Sequence, residues 1–99
     1  IYLDQFILVA YGMAACEAMS MGKPVFCYIM QPVLDLLPTD CPILYKGLNE
    51  LEEDLIEYIN NSLMRNKTGK LSREYMEKYH NVKIISSKLT AIMEELVAL

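Results

Sequence analysis

The segment over residues 2–29 constrains the fold of this chain most, because its secondary-structure preference changes from strand to helix and back to strand. Residues 2–9 are rich in β-branched and aromatic side chains and predict a buried strand. Gly12 ends that run, and residues 13–21 are good helix formers without a β-branched side chain. Gly22 then predicts a helix end, and residues 25–29 return to strand composition. The pattern predicts a β–α–β unit with two parallel strands joined by a right-handed crossover.

Downstream of this unit, the sequence predicts a loop followed by helices. Residues 30–42 contain three of the four prolines and predict a loop with one helical turn near residues 33–36. Residues 42–45 predict a further short strand. The expected fold class is therefore α/β, in one fragment over residues 1–99. Its first part is a small parallel sheet over residues 1–48, and the remaining residues 49–99 form C-terminal helices.

The helical part carries its own start and stop signals. Asn49 is predicted as the N-cap of its first helix, with Glu52 completing a capping box. Residues 66–69 predict a turn, residues 71–79 a shorter helix, and His80 the break before the last helix. Leucines and isoleucines repeat at helical spacing in the first of these helices: Leu48, Leu51, Leu55, Ile59 and Leu63.

The last segment carries one narrow apolar stripe, of the width found in a helix–helix seam. The stripe consists of Val82, Ile85, Leu89, Ile92 and Leu96. Such a seam fits a dimer. The chain begins with Ile1 rather than Met, and 54% of its residues are apolar, which is high for a free-standing domain. We therefore expect a piece of a longer protein, in which some apolar surface contacts a missing neighbour.

Charge and cysteine usage exclude several classes of protein. The net charge is −4 and the sequence has no basic stripe, so nucleic acid is not an expected partner. Cys16, Cys27 and Cys41 are odd in number and lie in apolar surroundings without metal-site or disulfide spacing. They predict reduced thiols in a cytoplasmic protein, with no metal site. No apolar run is long enough for a membrane span, and no basic n-region predicts a signal peptide.

The start of the first helix is the strongest candidate for a ligand site. The first turn of a helix has unpaired backbone N–H groups and partial positive charge, and glycine at Gly12 lets an anion approach them. Glu17 is the single charged side chain between Asp4 and Lys23. Its side chain leans toward the helix start, where a carboxylate accepts hydrogen bonds from a ribose diol. A diphosphate held by the amides of residues 12–14 would lie beside it.

Neighbouring polar residues have competing structural explanations. Lys23 fits either a phosphate contact or an interaction with the helix dipole. The dipole is the favoured explanation, because Lys23 directly follows the glycine at the helix end. Asp4 and Gln5 fit either hydrogen bonding at a strand end or a role in the site. His80 is a lone histidine in a turn and fits a surface or capping residue better than a general base. Tyr58, Tyr75 and Tyr79 lie at helical positions and predict packing.

The residues of this segment resemble the donor-site signature of the group 1 (family 4) retaining glycosyltransferases, which have the GT-B fold. The matching residues are Gly12, Glu17, Ala18, Met19, Gly22, Lys23, Pro24 and Val25. The segment REYMEKYH over residues 73–80 resembles the stretch before the family's last helix. The resemblance covers essentially all of this chain but only the final part of the family's C-terminal domain. It implies a partial Rossmann-like sheet, and a last helix that crosses back to the other domain, which accounts for the apolar stripe without an oligomer.

The resemblance also implies roles for individual residues. Backbone amides at Gly12, Met13 and Ala14 would hold the diphosphate of a donor such as a UDP- or GDP-sugar, and Glu17 would bind its ribose. The family's second glutamate corresponds to Val9 here, so no catalytic residue is assigned. Members with an Asp-Gln-Phe strand, like residues 4–6 here, arrange donor contacts differently.

The expected function is that of a hexosyltransferase fragment. The parent would transfer a hexosyl unit from a nucleoside-diphosphate sugar to a saccharide or lipid-linked acceptor, without a metal or other cofactor. It would be cytoplasmic, with peripheral membrane attachment left open. This piece alone is predicted to be inactive, because the N-terminal domain, the nucleobase pocket and the basic diphosphate clamp are missing. The alternatives are a non-catalytic glycosyltransferase-like scaffold, or another enzyme on the GT-B fold such as a sugar-nucleotide epimerase or a glycogen phosphorylase-like enzyme.

Overall fold

Two short strands and five helices occur among residues 1–4, 6, 10–45 and 48–98, which are the residues that the computed structural model describes. In chain order they are β1 (Tyr2–Leu3), α1 (Met13–Ser20), β2 (Val25–Phe26), α2 (Gln31–Leu34), α3 (Leu48–Asn60), α4 (Ser62–Tyr79) and α5 (Val82–Ala98). The fold is mixed α/β and mostly helical. No helix of the described part combines the length and the apolar character needed to cross a bilayer.

The β–α–β unit is confirmed, with a shorter sheet than the sequence predicts. Strands β1 and β2 are parallel, and Tyr2 lies opposite Val25. Phe26 also forms a parallel bridge with Leu44, so the predicted strand over residues 42–45 is present as a single bridge. Of the predicted first strand, residues 5 and 7–9 lie outside the described residues. Among the described residues, two paired strands form a smaller sheet than the Rossmann-like one that the resemblance implies.

The predicted end of α1 is confirmed, and its backbone forms a Schellman motif. Gly22 adopts a left-handed conformation with φ of 73°, which an alanine or larger residue adopts only with strain. Its N–H donates to the Met19 carbonyl at 2.9 Å, and the Lys23 N–H donates to the Ala18 carbonyl at 3.1 Å. The Arg73 guanidinium donates to the Ser20 carbonyl at 2.6 Å, so a distant arginine also caps this end of the helix.

Two predictions about the helical part are wrong. Helix α3 begins at Leu48, so Asn49 lies within its first turn and is not the N-cap. The predicted turn over residues 66–69 lies inside α4, where Gly69 is buried against the backbone of Gly22. The break occurs earlier, at Asn61, whose side chain accepts a hydrogen bond from the Met64 N–H at 3.0 Å.

The sheet is covered on both faces, as is usual for parallel strands. On one face, the buried side chains of β2 and of the residues after it pack with α1 and α4: Ala15, Ala18, Met19, Val25, Cys27, Ile29, Ile43, Tyr75 and Met76. On the other face, Phe26 meets Tyr58 of α3 edge to face, with ring centroids 5.3 Å apart. The alternation of Val25, Phe26 and Cys27 between the two faces positions α1 and α3 on opposite sides of the sheet.

The predicted break at His80 is confirmed, and α5 extends from the rest of the molecule. His80 is the C-cap of α4, and its N–H donates to the Met76 carbonyl at 2.9 Å. Every residue of α5 is exposed. The molecule accordingly measures 54 × 25 × 21 Å, and a helix of this length contributes about 25 Å of the long dimension.

Candidate functional site

The predicted donor-site residues lie at the start of α1, where the chain arrives from β1. Gly12 is the N-cap in an extended conformation, and no side chain caps the helix at this position. Met13, Ala14 and Glu17 are exposed. Gly12, Met13 and Glu17 line one open groove of about 880 Å³, whereas Ala14 is not among the residues that line it. The structure therefore brings three of the four predicted residues together.

A carboxylate already lies at this helix terminus. The Gly12 N–H donates to Oδ2 of Asp4 at 3.2 Å. Asp4 therefore makes the hydrogen bond of a strand-end residue, one of the two roles that the sequence allows it. Of the three amides predicted to hold a diphosphate, that of Gly12 is already hydrogen-bonded, so a ligand there would compete with Asp4. Gln5 and Val9 lie outside the described residues.

The groove runs between α1 and the junction of α4 with α5. The α1 side adds Cys16, Ser20 and Met21 to the predicted residues. The opposite side consists of Met76, His80, Val82 and Ile85. Among these lining residues Glu17 is the single carboxylate, in a wall that is otherwise largely apolar. A ligand with a polar end and an apolar or ring-shaped body fits such a surface.

A hydrogen-bonded cluster of Tyr11, Tyr75 and His80 joins the groove to the core, and the sequence does not predict it. Oη of Tyr11 lies 3.0 Å from Oη of Tyr75 and 3.0 Å from Nε2 of His80. The Tyr11 and His80 rings meet edge to face, with centroids 5.9 Å apart. The chain separations are 64 and 69 residues, so no periodicity in the sequence signals these contacts. His80 is the C-cap of α4, in agreement with the sequence prediction. Its side chain is also hydrogen-bonded to Tyr11, the residue that precedes Gly12.

The cluster is uncharged near neutral pH. Burial raises the pKa of Tyr11 and, more strongly, the pKa of Tyr75, whose hydroxyl is hydrogen-bonded to Tyr11. Burial lowers the pKa of His80 below its ordinary value of 6.5. The three groups therefore present neutral O–H and N–H donors beside the groove rather than a fixed charge.

Because the folded state holds the pKa of His80 below that of the unfolded chain, acid is expected to destabilise the protein through this residue. Above pH 6.5, both states leave His80 neutral and its contribution to stability is complete. As the pH falls through 6.5 toward the folded-state pKa, the unfolded chain binds the proton more readily and the free energy of unfolding decreases. Urea unfolding between pH 8 and pH 5 measures this loss.

The matched variant for this pH prediction is His80→Gln, which keeps a hydrogen-bonding group but does not titrate. Its free energy of unfolding is expected to vary less with pH in the same window. His80 is the only histidine, so its imidazole proton signals in an NMR titration report its folded-state pKa directly. A folded-state pKa at or above 6.5 would contradict the burial argument.

The remaining chemistry of the site is that of a binding surface. The described residues bring together no cluster of three His, Cys, Asp or Glu side chains that could hold a metal. Cys16 lines the groove as a free thiol, and burial raises its pKa, which disfavours the nucleophilic thiolate. The groove thus offers helix-terminal amides, one carboxylate and apolar walls.

No protein-family model, no curated protein and no solved structure matches this chain.

Proposed function

We propose that this chain is the C-terminal part of a GT-B nucleotide-sugar-binding domain, with a Rossmann-like sheet completed by other residues of its parent. The observation that carries the proposal is the shared groove of Gly12, Met13 and Glu17 at the start of α1. These residues belong to one sequence motif, and a helix start that follows a parallel strand is the usual position of a phosphate-bearing ligand.

The geometry favours a particular arrangement of the donor. The diphosphate lies at the rim of the groove, against the amide of Met13, which lines it, and that of Ala14, the next residue, because the Gly12 N–H is engaged by Asp4. The Glu17 carboxylate, one turn into the helix, accepts hydrogen bonds from the ribose hydroxyls. Two carboxylates near one diphosphate weaken its binding through like charge, so this chain is expected to bind a nucleotide weakly. Basic residues elsewhere in the parent would offset that repulsion.

In the parent, the proposed reaction is transfer of a hexosyl unit from a UDP- or GDP-sugar to a saccharide or lipid-linked acceptor. The α1 terminus would stabilise the negative charge that develops on the leaving diphosphate, without a metal ion. We propose a cytoplasmic parent, with its acceptor supplied in solution or at a membrane surface. The chain by itself is expected to lack transferase activity, because the acceptor domain, the nucleobase pocket and the basic diphosphate clamp would be supplied by other residues of the parent.

Titration of the ¹⁵N-labelled chain with UDP and with GDP tests the donor site. At millimolar nucleotide, we expect amide chemical-shift changes centred on Met13 and Ala14, with smaller changes at Gly12. Glu17→Ala is expected to weaken binding by roughly tenfold or more, since a hydrogen bond to a charged group contributes about 1.5–3 kcal/mol. Glu17 is exposed, so the variant is expected to remain folded.

The matched control is Glu53→Ala, which removes the same charge from an exposed position on α3. It is expected to bind nucleotide as the unsubstituted chain does. If neither nucleotide shifts the α1 amides at millimolar concentration, the donor site is refuted and the scaffold alternative takes its place. If both glutamate variants strengthen binding equally, the nucleotide is responding to net charge and not to a ribose contact at Glu17.

A further inference from the structure

The apolar stripe of α5 is exposed along its whole length. Leu89, Ile92 and Leu96 are 55%, 53% and 63% exposed, and Val82 and Ile85 continue the same face toward the groove. Their spacing alternates between three and four residues, which is the pattern of a left-handed coiled-coil seam. A face of this kind on a helix without a polar interruption is typical of pairing with another helix.

The charges of α5 identify the other helix. Lys83 and Lys88 lie in its first half, and Glu94 and Glu95 lie in its second half. Two antiparallel copies place the basic half of each helix against the acidic half of the other, whereas a parallel seam would set Lys88 beside the uncharged Met93 of the second copy. The sequence of α5 is therefore electrostatically complementary to itself in the antiparallel direction only.

The antiparallel register that follows from the seam is specific. When Leu89 packs against Ile92 of the second copy, Ile85 packs against Leu96 of the second copy. In that register Lys88 and Glu95 flank the seam on the same edge and face each other across the pair. Two-fold symmetry repeats the ion pair, so each interface contains it twice.

The opposite edge and the overall geometry agree with this arrangement. Ser86 and Met93 occupy the other edge of the seam and are uncharged, so they add no repulsion. Helix α5 extends from a molecule whose two shorter dimensions are 25 and 21 Å, and an antiparallel pair places the two bodies at opposite ends of the paired helices.

We propose that α5 joins two copies of this chain into an antiparallel, two-fold symmetric homodimer, with Leu89 and Ile92 at the centre of the seam and Lys88 paired with Glu95. The seam includes Val82 and Ile85 of the groove wall, and it assigns to a second copy the helix face that the resemblance assigns to another domain. The dimer requires neither a nucleotide nor Glu17, and nucleotide titration and sedimentation report on the two proposals separately. Failure of the dimer and failure of the proposed function are therefore distinguishable.

Sedimentation equilibrium of the chain over a range of concentrations tests the dimer. The mass is expected to approach twice 11.4 kDa with increasing concentration. Lys88→Glu and Glu95→Lys each convert both ion pairs into like-charge pairs, and each is expected to raise the dissociation constant by roughly tenfold or more. An equimolar mixture of the two variants is expected to form a heterodimer, because opposite charges then meet at both pairs. The double variant K88E/E95K is expected to restore the homodimer for the same reason.

The matched controls make the same charge changes away from the seam. Lys83→Glu and Glu94→Lys lie outside both edges of the predicted pair and are expected to leave the dissociation constant within about twofold, as for other surface charges. Circular dichroism checks that every variant retains its helices. A chain that stays monomeric at all concentrations overturns the proposal and assigns the stripe to another domain of a longer protein. A dimer that responds equally to the seam-edge and control substitutions, or does not recover in the mixture, overturns the antiparallel register.

Discussion

Replacing Gly69 by alanine is expected to lower the free energy of unfolding by about 1–3 kcal/mol, the range found for forced overpacking. The direction is opposite to helix propensity, since alanine in a helix interior is favoured over glycine by about 1 kcal/mol. A Cβ atom at Gly69 would collide with the backbone carbonyl of Gly22, where α4 crosses the end of α1. Gly22 is held by the hydrogen bonds of the Schellman motif, and moving it aside would weaken them. Urea unfolding of the variant measures the effect.

Asn66→Ala is the control for this substitution. Asn66 lies one turn earlier in α4 and is exposed, so alanine there adds helix propensity without a collision. We expect a small gain in stability, of a few tenths of a kcal/mol. A Gly69→Ala protein as stable as the Asn66→Ala protein would show that the two backbones are not in close contact. The crossing also fixes the direction of α1, so the Gly69 variant is expected to perturb the groove that runs along that helix.

Those parts of the fold that depend on local chemistry could be predicted from the sequence. The β–α–β unit follows from composition, and the end of α1 follows from the conformational freedom of Gly22. The break at His80 was also predictable, because helix-forming residues lie on both sides of it. The sheet was overestimated: buried apolar runs predict strand type well, but the length of a ladder depends on the neighbouring strand.

Features that depend on tertiary contacts could not be predicted. Gly69 follows asparagine and threonine, a combination typical of a turn, yet packing of α4 against Gly22 keeps the segment helical. The Tyr11 hydrogen bonds to Tyr75 and His80 join distant parts of the chain, and nothing local distinguishes these residues from packing tyrosines. The candidate site was predictable where it belongs to one helix, and its second wall was not, because that wall comes from α4 and α5.

The largest expected loss of stability follows from truncation of the side chain that attaches α3 to the sheet. Phe26 is 1% exposed, and its ring meets Tyr58 of α3 at 84°. Phe26→Ala removes the buried ring and leaves a cavity between α3 and β2, for which measured losses are about 3–5 kcal/mol. For a domain of this size, with an expected stability of about 5–15 kcal/mol, the variant is expected to unfold at a much lower urea concentration.

Tyr28→Ala provides the matched comparison, because Tyr28 follows two residues later on the same side of the extended chain and is 37% exposed. Its truncation removes a ring of similar size from a partly solvated position, so its cost is expected to be well below that of Phe26→Ala. Hydrogen exchange separates local from global effects: detachment of α3 alone would increase exchange in α3 while α1 and β2 stay protected. Equal losses for the two variants would contradict burial of the second sheet face, since only a covered face makes position 26 more sensitive than position 28.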